Sequence, residues 1–160
     1  SFINDLTYKG YLTFNLQVDW VQGSHLYNQT KEWMYRDGIH SDYQQPITIN
    51  GETGAWSAFY RGVYAEVSRN GTKNYFYEDA SFARLRNLSV GVDLVKAFGI
   101  KGFRKLQLVA SGRNLVTLTK YTGMDPEISS GSNNSAWDRG VDHNTMPNTR
   151  TYQVQLNIGF

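Results

Sequence analysis

The sequence contains no cysteine and only three prolines among its 160 residues. Without cysteine, the chain has no disulfide framework, no thiolate metal site and no cysteine nucleophile. It also lacks any apolar run near the ~20 residues that a membrane-spanning helix needs, which excludes a helical membrane protein. The net charge of +2, from 16 basic and 14 acidic residues, argues against a nucleic-acid-binding surface. A β-barrel membrane protein stays compatible, because each spanning strand of such a barrel is half polar.

Catalytic motifs are missing as well. His25, His40 and His143 do not stand at the spacing of metal ligands, and the sequence has no phosphate-binding loop and no G-x-S-x-G or H-E-x-x-H motif. We therefore predict no enzymatic activity, no cofactor and no metal centre. The chain also starts at Ser1 without an initiator methionine or an apolar leader, so we expect a removed targeting segment or a part of a longer protein, and favour the second.

Alternating apolar and polar residues predict four β-strands. The pattern is strict at about 8–20 and 150–160, and less regular at about 82–94 and 105–118. Leu85 is out of phase, which indicates either a bulge or a strand that leaves the apolar layer, and Val109 interrupts the alternation of its strand. One face of each strand is therefore expected in an apolar medium and the other in water.

The connections between these strands are long, short and long. The two long ones are about 21–80 and 119–149, and the short one is about 95–104. Loops longer than ~15 residues are uncommon in compact domains, whereas outer-membrane barrels combine long extracellular loops with short periplasmic turns. Alternation alone fits a soluble secreted β-sandwich equally well, and such a module would bind carbohydrate through its aromatic loops. The sixty-residue connection favours the barrel.

Aromatic residues make up 14% of the chain, and many of them fall in the first long loop among carboxylates. Rings beside carboxylates and amides are used to bind sugars and peptides, so these residues form a candidate ligand site. The equally weighted alternative is that the rings pack the core of the loop itself. An amphipathic helix is also predicted near 55–67. The candidate ligand residues in this loop are Trp33, Tyr35, Tyr43, Trp56 and Tyr60.

Carboxylates of the second long loop form the other part of the candidate ligand site. They are Asp125, Glu127 and Asp142. Oxygen ligands of this kind suit Ca²⁺, but their spacing does not match a calcium-binding loop. We favour the interpretation that Asp125-Pro126-Glu127 shapes a turn.

Two segments give the sequence a more specific resemblance. Residues 77–91, YEDASFARLRNLSVG, and residues 114–127, NLVTLTKYTGMDPE, resemble motifs of the SusC-like (SusC/RagA) TonB-linked outer-membrane transporters. The end of the chain, from Val141-Asp142 through Arg150-Thr151-Tyr152 to Phe160, is similar to the closing motif of that family. The residues that carry the first two motifs are Glu78, Asp79, Arg84, Leu85, Asn114, Leu115, Thr119, Tyr121, Gly123, Asp125, Pro126 and Glu127.

The resemblance implies an all-β fold, in which the chain supplies the last four antiparallel strands of a transmembrane barrel of about 22 strands. A fifth strand is added if 1–7 belongs to one. The plug domain would lie outside this chain. The implied protein imports glycans or peptides across the bacterial outer membrane with energy passed through TonB. Its implied partners are a SusD-like surface lipoprotein, the rest of its own barrel and plug, the lipid bilayer and the ligand.

The last strand has a further implied role. Its alternating residues Tyr152, Val154, Leu156, Ile158 and Phe160 resemble the C-terminal signal that the outer-membrane assembly machinery recognises. Backbone pairing with an added strand would provide the affinity of that recognition. The alternative is that Phe160 is only the last residue of an aromatic girdle. If the short turn at about 95–104 is periplasmic, the last strand runs toward the periplasm and Phe160 ends there.

Overall fold

The computed structural model describes residues 1–49, 51–55, 74–128 and 140–160. These form two compact units, which we describe separately. The sheet unit contains Ser1–Gln22, Ser81–Lys120 and Asn148–Phe160, and the loop unit contains Gly23–Ala80 and Tyr121–Pro147. In chain order, the elements are β1 Phe2–Tyr8, β2 Leu12–Val21, β3 His25–Asn28, α1 Gln29–Arg36, a 3₁₀ turn Ser41–Gln44, β4 Pro46–Ile49, β5 Glu52–Ala55, a 3₁₀ turn Asn74–Phe76, β6 Tyr77–Asp79, β7 Phe82–Asp93, α2 Leu94–Phe98, β8 Lys105–Thr119, β9 Val141–Asp142 and β10 Thr151–Gly159.

The sheet unit is one antiparallel sheet in the order β1-β2-β7-β8-β10. The expectation of an antiparallel, strand-dominated fold is confirmed, and the sheet has five strands because residues 2–8 form a complete one. Residues 9–11, which we included in the strand at 8–20, instead form the tight turn between β1 and β2. Lys9 and Gly10 both have positive φ there, at 47° and 71°, the combination that matches the right-handed twist of a hairpin.

The register sorts the side chains of the sheet unit into two faces. An apolar row crosses all five strands through Tyr8, Leu12, Val92, Leu108 and Leu156, each directly opposite the next. On the other face, a polar row crosses through Asp5, Asn15, Ser89, Ser111 and Gln153. The apolar face is open: the exposed fraction is 70% for Trp20 and 74% for Val154.

A β-bulge at Arg86 explains why Leu85 is out of phase. Gln17 pairs with Asn87 and Val18 with Leu85, so Arg86 has no partner of its own on β2. The bulge interpretation is therefore confirmed. The Arg86 Nε donates to Asp19 Oδ2 at 2.6 Å, and its Nη1 donates to Asn114 Oδ1 at 3.2 Å. These bonds link the three central strands at the point where the register shifts.

The connection between β7 and β8, expected as a turn at 95–104, begins with the short helix α2. Asp93 caps its N-terminus by accepting from the backbone N–H of Lys96 at 3.2 Å, and Gly99 ends it in the left-handed region. Neither α1 nor α2, the α-helices of the described ranges, is long and apolar enough to cross a membrane.

The loop unit folds the long connections into a small domain with its own sheet. β3 pairs antiparallel with β6 and parallel with β9, and β4 and β5 form a separate hairpin. Aromatic and small apolar side chains fill its two core clusters, Leu26, Ala80 and Tyr121 in one and Tyr27, Tyr35 and Phe76 in the other. The two predicted loops are thus joined through strand pairing. The helix predicted near 55–67 lies outside the described residues, except that Ala55 ends β5.

Candidate functional site

The loop unit contains a pocket of about 420 Å³ with a mostly apolar wall. All three methionines of the chain line it, Met34, Met124 and Met146. Lys31, His40 and Asp142 contribute polar groups to the same pocket. Methionine side chains are flexible and polarizable, so a wall of this kind adapts to ligands of different shapes. A mostly apolar cavity with a few polar groups is the usual form of a small-ligand site.

Glu78 is the polar centre next to this pocket. Its carboxylate accepts from Lys31 Nζ at 2.9 Å, and from the backbone N–H and the hydroxyl of Thr122 at 2.8 and 2.7 Å. Lys31 and Glu78 are both largely buried, with side chains 13% and 11% exposed. Burial alone would raise the pKa of Glu78, but the hydrogen bonds from Thr122 and Lys31 outweigh it and hold the pKa below its usual value. Glu78 therefore stays ionised and fixes α1 to the segment after β8.

Asp142 is the second buried carboxylate of the pocket wall. It accepts from the Tyr121 hydroxyl at 2.7 Å and from the Thr30 hydroxyl at 3.2 Å. Burial, together with the bond to Asp142, raises the pKa of Tyr121. The Thr30 hydroxyl in turn accepts from the backbone N–H of Asn144 at 2.8 Å. Asp142, a residue predicted to bind ligand, thus lines the pocket. Its carboxylate is held there by hydrogen bonds from Tyr121 and Thr30.

Gly123 is required by the position of the Tyr121 ring. A Cβ atom at residue 123 would overlap two carbons of that ring and its hydroxyl oxygen. Its lack of a side chain lets Tyr121 lie against the backbone with its hydroxyl directed at Asp142. The motif residues Glu78, Tyr121 and Gly123 therefore act together in building the pocket.

Two of the aromatic residues predicted to bind ligand, Tyr35 and Tyr43, pack in the core of the loop unit. Tyr35 is only 1% exposed, and its hydroxyl donates to Asp42. The Tyr43 hydroxyl donates to the carbonyl of Tyr35 at 2.7 Å. The packing of these two rings agrees with the alternative interpretation, in which aromatic side chains form the core of the loop itself. Trp33 is half-buried and contacts the ring of His143, and Trp56 and Tyr60 lie outside the described residues.

The remaining predicted carboxylates form a turn. Asp125 is buried, and it accepts from the backbone N–H of Glu127 at 3.0 Å, while Glu127 is exposed. Pro126 between them is buried as well. This geometry agrees with the favoured interpretation of a turn. Within the described ranges, no three carboxylate or histidine side chains gather closely enough to hold a metal ion.

The other motif residues lie on the sheet unit, except Asp79, which belongs to the loop unit. Arg84 is buried over the ring of Phe82, Leu85 pairs with Val116, and the Thr119 hydroxyl donates to the carbonyl of Ser81 at 2.8 Å. Asn114 has a positive φ of 53° and donates to the carbonyl of Thr149 at 3.0 Å. Leu115 covers Gly112, and Asp79 pairs with His25 at the end of β6. Most of these residues fix the irregular part of β7 and β8.

The predicted assembly-signal residues lie on β10, an edge strand of the sheet. Tyr152, Val154, Leu156 and Ile158 all project from the apolar face and are exposed. The Phe160 ring contacts Phe103, with centroids 5.5 Å apart. The opposite face of the sheet carries a second, polar pocket of about 450 Å³, whose lining includes Gln17, Arg86, Ser111 and Arg113.

Sequence reasoning did not identify the methionines, Lys31 or His40 as pocket residues. Met34 is on α1, whereas Met124 and Met146 follow β8 and β9. No local pattern connects these positions, because the parallel pairing of β3 with β9 brings them together.

No family model matches the chain. The chain is 33% identical to the TonB-dependent receptor P3 of Formosa agariphila over 170 residues, which cover the whole chain and 16% of that receptor. The TonB-dependent receptor P26 of the same organism is 24% identical over 164 residues, again covering the whole chain and 16% of the relative. The TonB-dependent receptor SusC of Bacteroides thetaiotaomicron is 27% identical over 89 residues, which are 54% of this chain and 8% of that receptor.

The fold is similar to part of a chain in the RagAB peptide transporter. The TM-score is 0.58 with 20% identity, and the match covers 93% of this chain and 16% of the other. The RagAB peptide importer in its open-open state gives a TM-score of 0.55 with 22% identity. This likeness concerns the fold. It shows that sheet and connections of this kind occur within a much longer transporter chain.

Proposed function

Because this chain belongs to the SusC-like TonB-dependent receptors, we propose that it is part of an active importer in the bacterial outer membrane. The whole protein would take up glycans or peptides, draw energy through TonB and work with a SusD-like lipoprotein at the cell surface. The observation that carries the proposal is the similarity of the entire chain to TonB-dependent receptors. The soluble carbohydrate-binding sandwich is not favoured by these relatives.

The sheet supports a place within a transmembrane barrel. It has an open apolar face and a polar face, the alternation expected of strands between lipid and an aqueous lumen. β1 and β10 are its edges, and unpaired strand edges are not tolerated in lipid. We therefore propose that both edges pair with strands of the remaining barrel, and that the chain forms the C-terminal part of that barrel.

The connections support an orientation. The turn at 9–11 and the connection with α2 lie at the same end of the sheet as the end of β10, because Gly159 pairs with Lys105. Short turns of such barrels are periplasmic and long connections extracellular. The end of β10 is then periplasmic, and the segments 23–80 and 121–147 are extracellular.

An uptake experiment tests the proposed function. The full-length gene is deleted from its bacterium, and uptake of labelled oligosaccharides and labelled peptides is measured separately. Loss of one uptake activity, restored by the gene and also lost on deletion of TonB, is the expected result. Unchanged uptake of both ligand classes, or uptake that persists without TonB, would contradict the proposal.

We further propose that the methionine-lined pocket contacts the ligand, with Trp33 and Glu127 as accessible neighbours in the loop unit. Tyr35, Tyr43, Asp125 and Asp142 would then support the site from within. Met124 is 75% exposed, so Met124→Lys should weaken uptake without unfolding the protein. Met124→Leu keeps an apolar side chain and is the matched control. Equal uptake by both variants would contradict the role of the pocket.

The C-terminal signal is tested by deleting Phe160 from the full-length gene. If the assembly machinery reads this residue, less barrel should reach the surface, as measured by heat-resistant mobility on a gel and by surface labelling. Phe160→Tyr keeps the aromatic ring and should restore the surface level. Unchanged levels after the deletion would support the girdle interpretation instead.

A further inference from the structure

One end of the sheet unit carries a concentration of positive charge that the proposed import function does not use. This end consists of residues 9–11, 93–105 and 159–160. We call its basic residues the basic rim: Lys9, Lys96, Lys101, Arg104 and Lys105. All five are exposed. Asp93 is the one carboxylate side chain within these residue ranges, so the rim is strongly unbalanced in charge.

Hydrogen bonds join the separate segments of this end into one surface. The backbone N–H of Asp93 donates to the carbonyl of Tyr11 at 2.7 Å, and Lys96 Nζ donates to the carbonyl of Gly10 at 3.3 Å. On the other side, the backbone N–H of Arg104 donates to the carbonyl of Gly159 at 2.9 Å. The five basic residues therefore lie at the same end of the sheet, in a row that runs across all its strands.

The single acidic side chain at this end of the sheet already has partners. Asp93 caps α2 and lies 3.5 Å from Lys96 Nζ. Lys9 lies over the ring of Tyr8, at 5.3 Å from its centroid. Within the described parts of the chain, Lys9, Lys101, Arg104 and Lys105 have no carboxylate in ion-pair distance. Four positive charges are thus available to an anionic partner.

Exposed aromatic rings accompany these charges. Phe98 is 73% and Phe160 82% exposed, and Tyr8 belongs to the apolar row of the sheet. Aromatic rings next to lysine and arginine are typical of the boundary between the apolar layer and the headgroups of a membrane. The rim is also continuous with the apolar face that we assign to lipid.

We propose that the basic rim binds the phosphate headgroups of anionic phospholipids, of the phosphatidylglycerol type, in the periplasmic leaflet of the outer membrane. This inference rests on the proposed function, because it requires the barrel and its orientation. The positive charges complement the phosphodiester, and the exposed rings enter the adjoining acyl region. Each basic group close to an anionic lipid surface adds to the attraction between protein and lipid. Salt limits the distance over which this attraction acts.

The test uses the purified full-length transporter and native mass spectrometry. Lipid retention is compared for phosphatidylglycerol and zwitterionic phosphatidylethanolamine. Wild-type protein should retain phosphatidylglycerol preferentially, and Lys101→Gln with Arg104→Gln should weaken this roughly 30-fold, the effect expected for two basic groups. The matched control is Lys120→Gln with Arg150→Gln, which removes the same charge near the opposite end of the sheet and should change nothing. Lys101→Arg with Arg104→Lys keeps the charge and should keep binding.

Several results would overturn the proposal. They are equal retention of both lipids, unchanged retention after Lys101→Gln with Arg104→Gln, or an equal loss in the control. Preferential retention of lipid A by the rim would show that its phosphate source is the other leaflet. Competition by free inorganic phosphate at the same concentration as the lipid would show that the rim binds phosphate without the membrane.

Folding and uptake separate this inference from the function on which it rests. Heat-modifiable gel mobility shows whether each variant forms a barrel. If the wild-type protein forms a barrel and imports its ligand but shows no lipid preference, the inference fails and the proposed function stands. If the protein forms no membrane barrel, the proposed function itself fails.

Discussion

A lysine placed on the apolar face of β8 should destabilise the barrel far more than a lysine one residue away. Ala110 pairs with Val90 and Val154 on the apolar face, whereas Val109 pairs with Gly91 and Gln155 on the polar face. Both residues are apolar in the sequence, so only the register assigns them to different surroundings. The comparison therefore tests the register together with the assignment of the apolar face to lipid.

The depth of Ala110 sets the magnitude. It is the fifth residue after Lys105, and five residues at ~3.3 Å, tilted by ~40°, rise about 13 Å. This distance is half of the ~25 Å apolar band, so Ala110 is expected near the midplane. A lysine at that depth costs about 2–4 kcal/mol, which lowers the ratio of folded to unfolded protein about 30- to 700-fold. Val109→Lys should cost less than about 1 kcal/mol, because water reaches the polar face.

The assay is urea unfolding of the full-length transporter in lipid bilayers, followed by heat-modifiable gel mobility. Ala110→Leu adds bulk without charge and controls for the size of the new side chain. The wild-type protein, Ala110→Leu and Val109→Lys should have similar free energies of unfolding. Ala110→Lys should have a much lower one. Equal destabilisation by the two lysines, or a larger effect at Val109, would refute the assignment of the faces.

Three further predictions concern the loop unit of the full-length protein, measured by hydrogen exchange of its backbone amides. Gly123→Ala should displace the Tyr121 ring and reduce protection around β9, while Gly54→Ala, with nothing within 4 Å of the new methyl group, should leave it unchanged. Tyr121→Phe should lower local stability by about 1–3 kcal/mol because the buried Asp142 loses a donor; no change would contradict that bond's importance. The pKa of Glu78 is lower in the folded protein than in the unfolded chain, so its ionised carboxylate stabilises the folded state at pH values above the pKa of the unfolded chain. This stabilisation is lost as the pH falls through the pKa that Glu78 has in the folded protein. Glu78→Gln should abolish that acidic loss of protection, and an unchanged pH profile would refute the argument.

The strands were predictable because their signal is local. In β10, every second residue from Tyr152 to Ile158 is apolar, and the structure places these residues on one face of the sheet. The bulge was predictable from Leu85 alone, since one out-of-phase residue shifts the alternation of all that follow. The start of β2 was predicted too early, because Tyr8 and Tyr11 on either side of the turn at Lys9 and Gly10 continue the aromatic character of the strands.

The loop unit was not predictable in the same way, because its interactions join distant residues. Thr30 and Asp142 are hydrogen-bonded across most of the chain, and Lys31 reaches Glu78 in another segment. Each residue by itself is an ordinary polar residue in a polar stretch. Tyr35 illustrates the difficulty: its sequence surroundings fit a ligand-binding ring, yet its burial and its bond to Asp42 place it in the core.

These contacts indicate that two sets of residues in the loop unit have different roles. Glu78, Tyr121 and Gly123, which carry the family resemblance, form internal bonds and close packing that position α1 against the segments after β8 and β9. Residues that reach the pocket surface, such as Met124 and Met146, make no contact of this kind and are free to differ without loss of the fold. If the pocket binds the ligand as we propose, ligand preference among related transporters should follow the exposed pocket residues. Changes at the internal carboxylates should alter stability first and uptake only as a consequence.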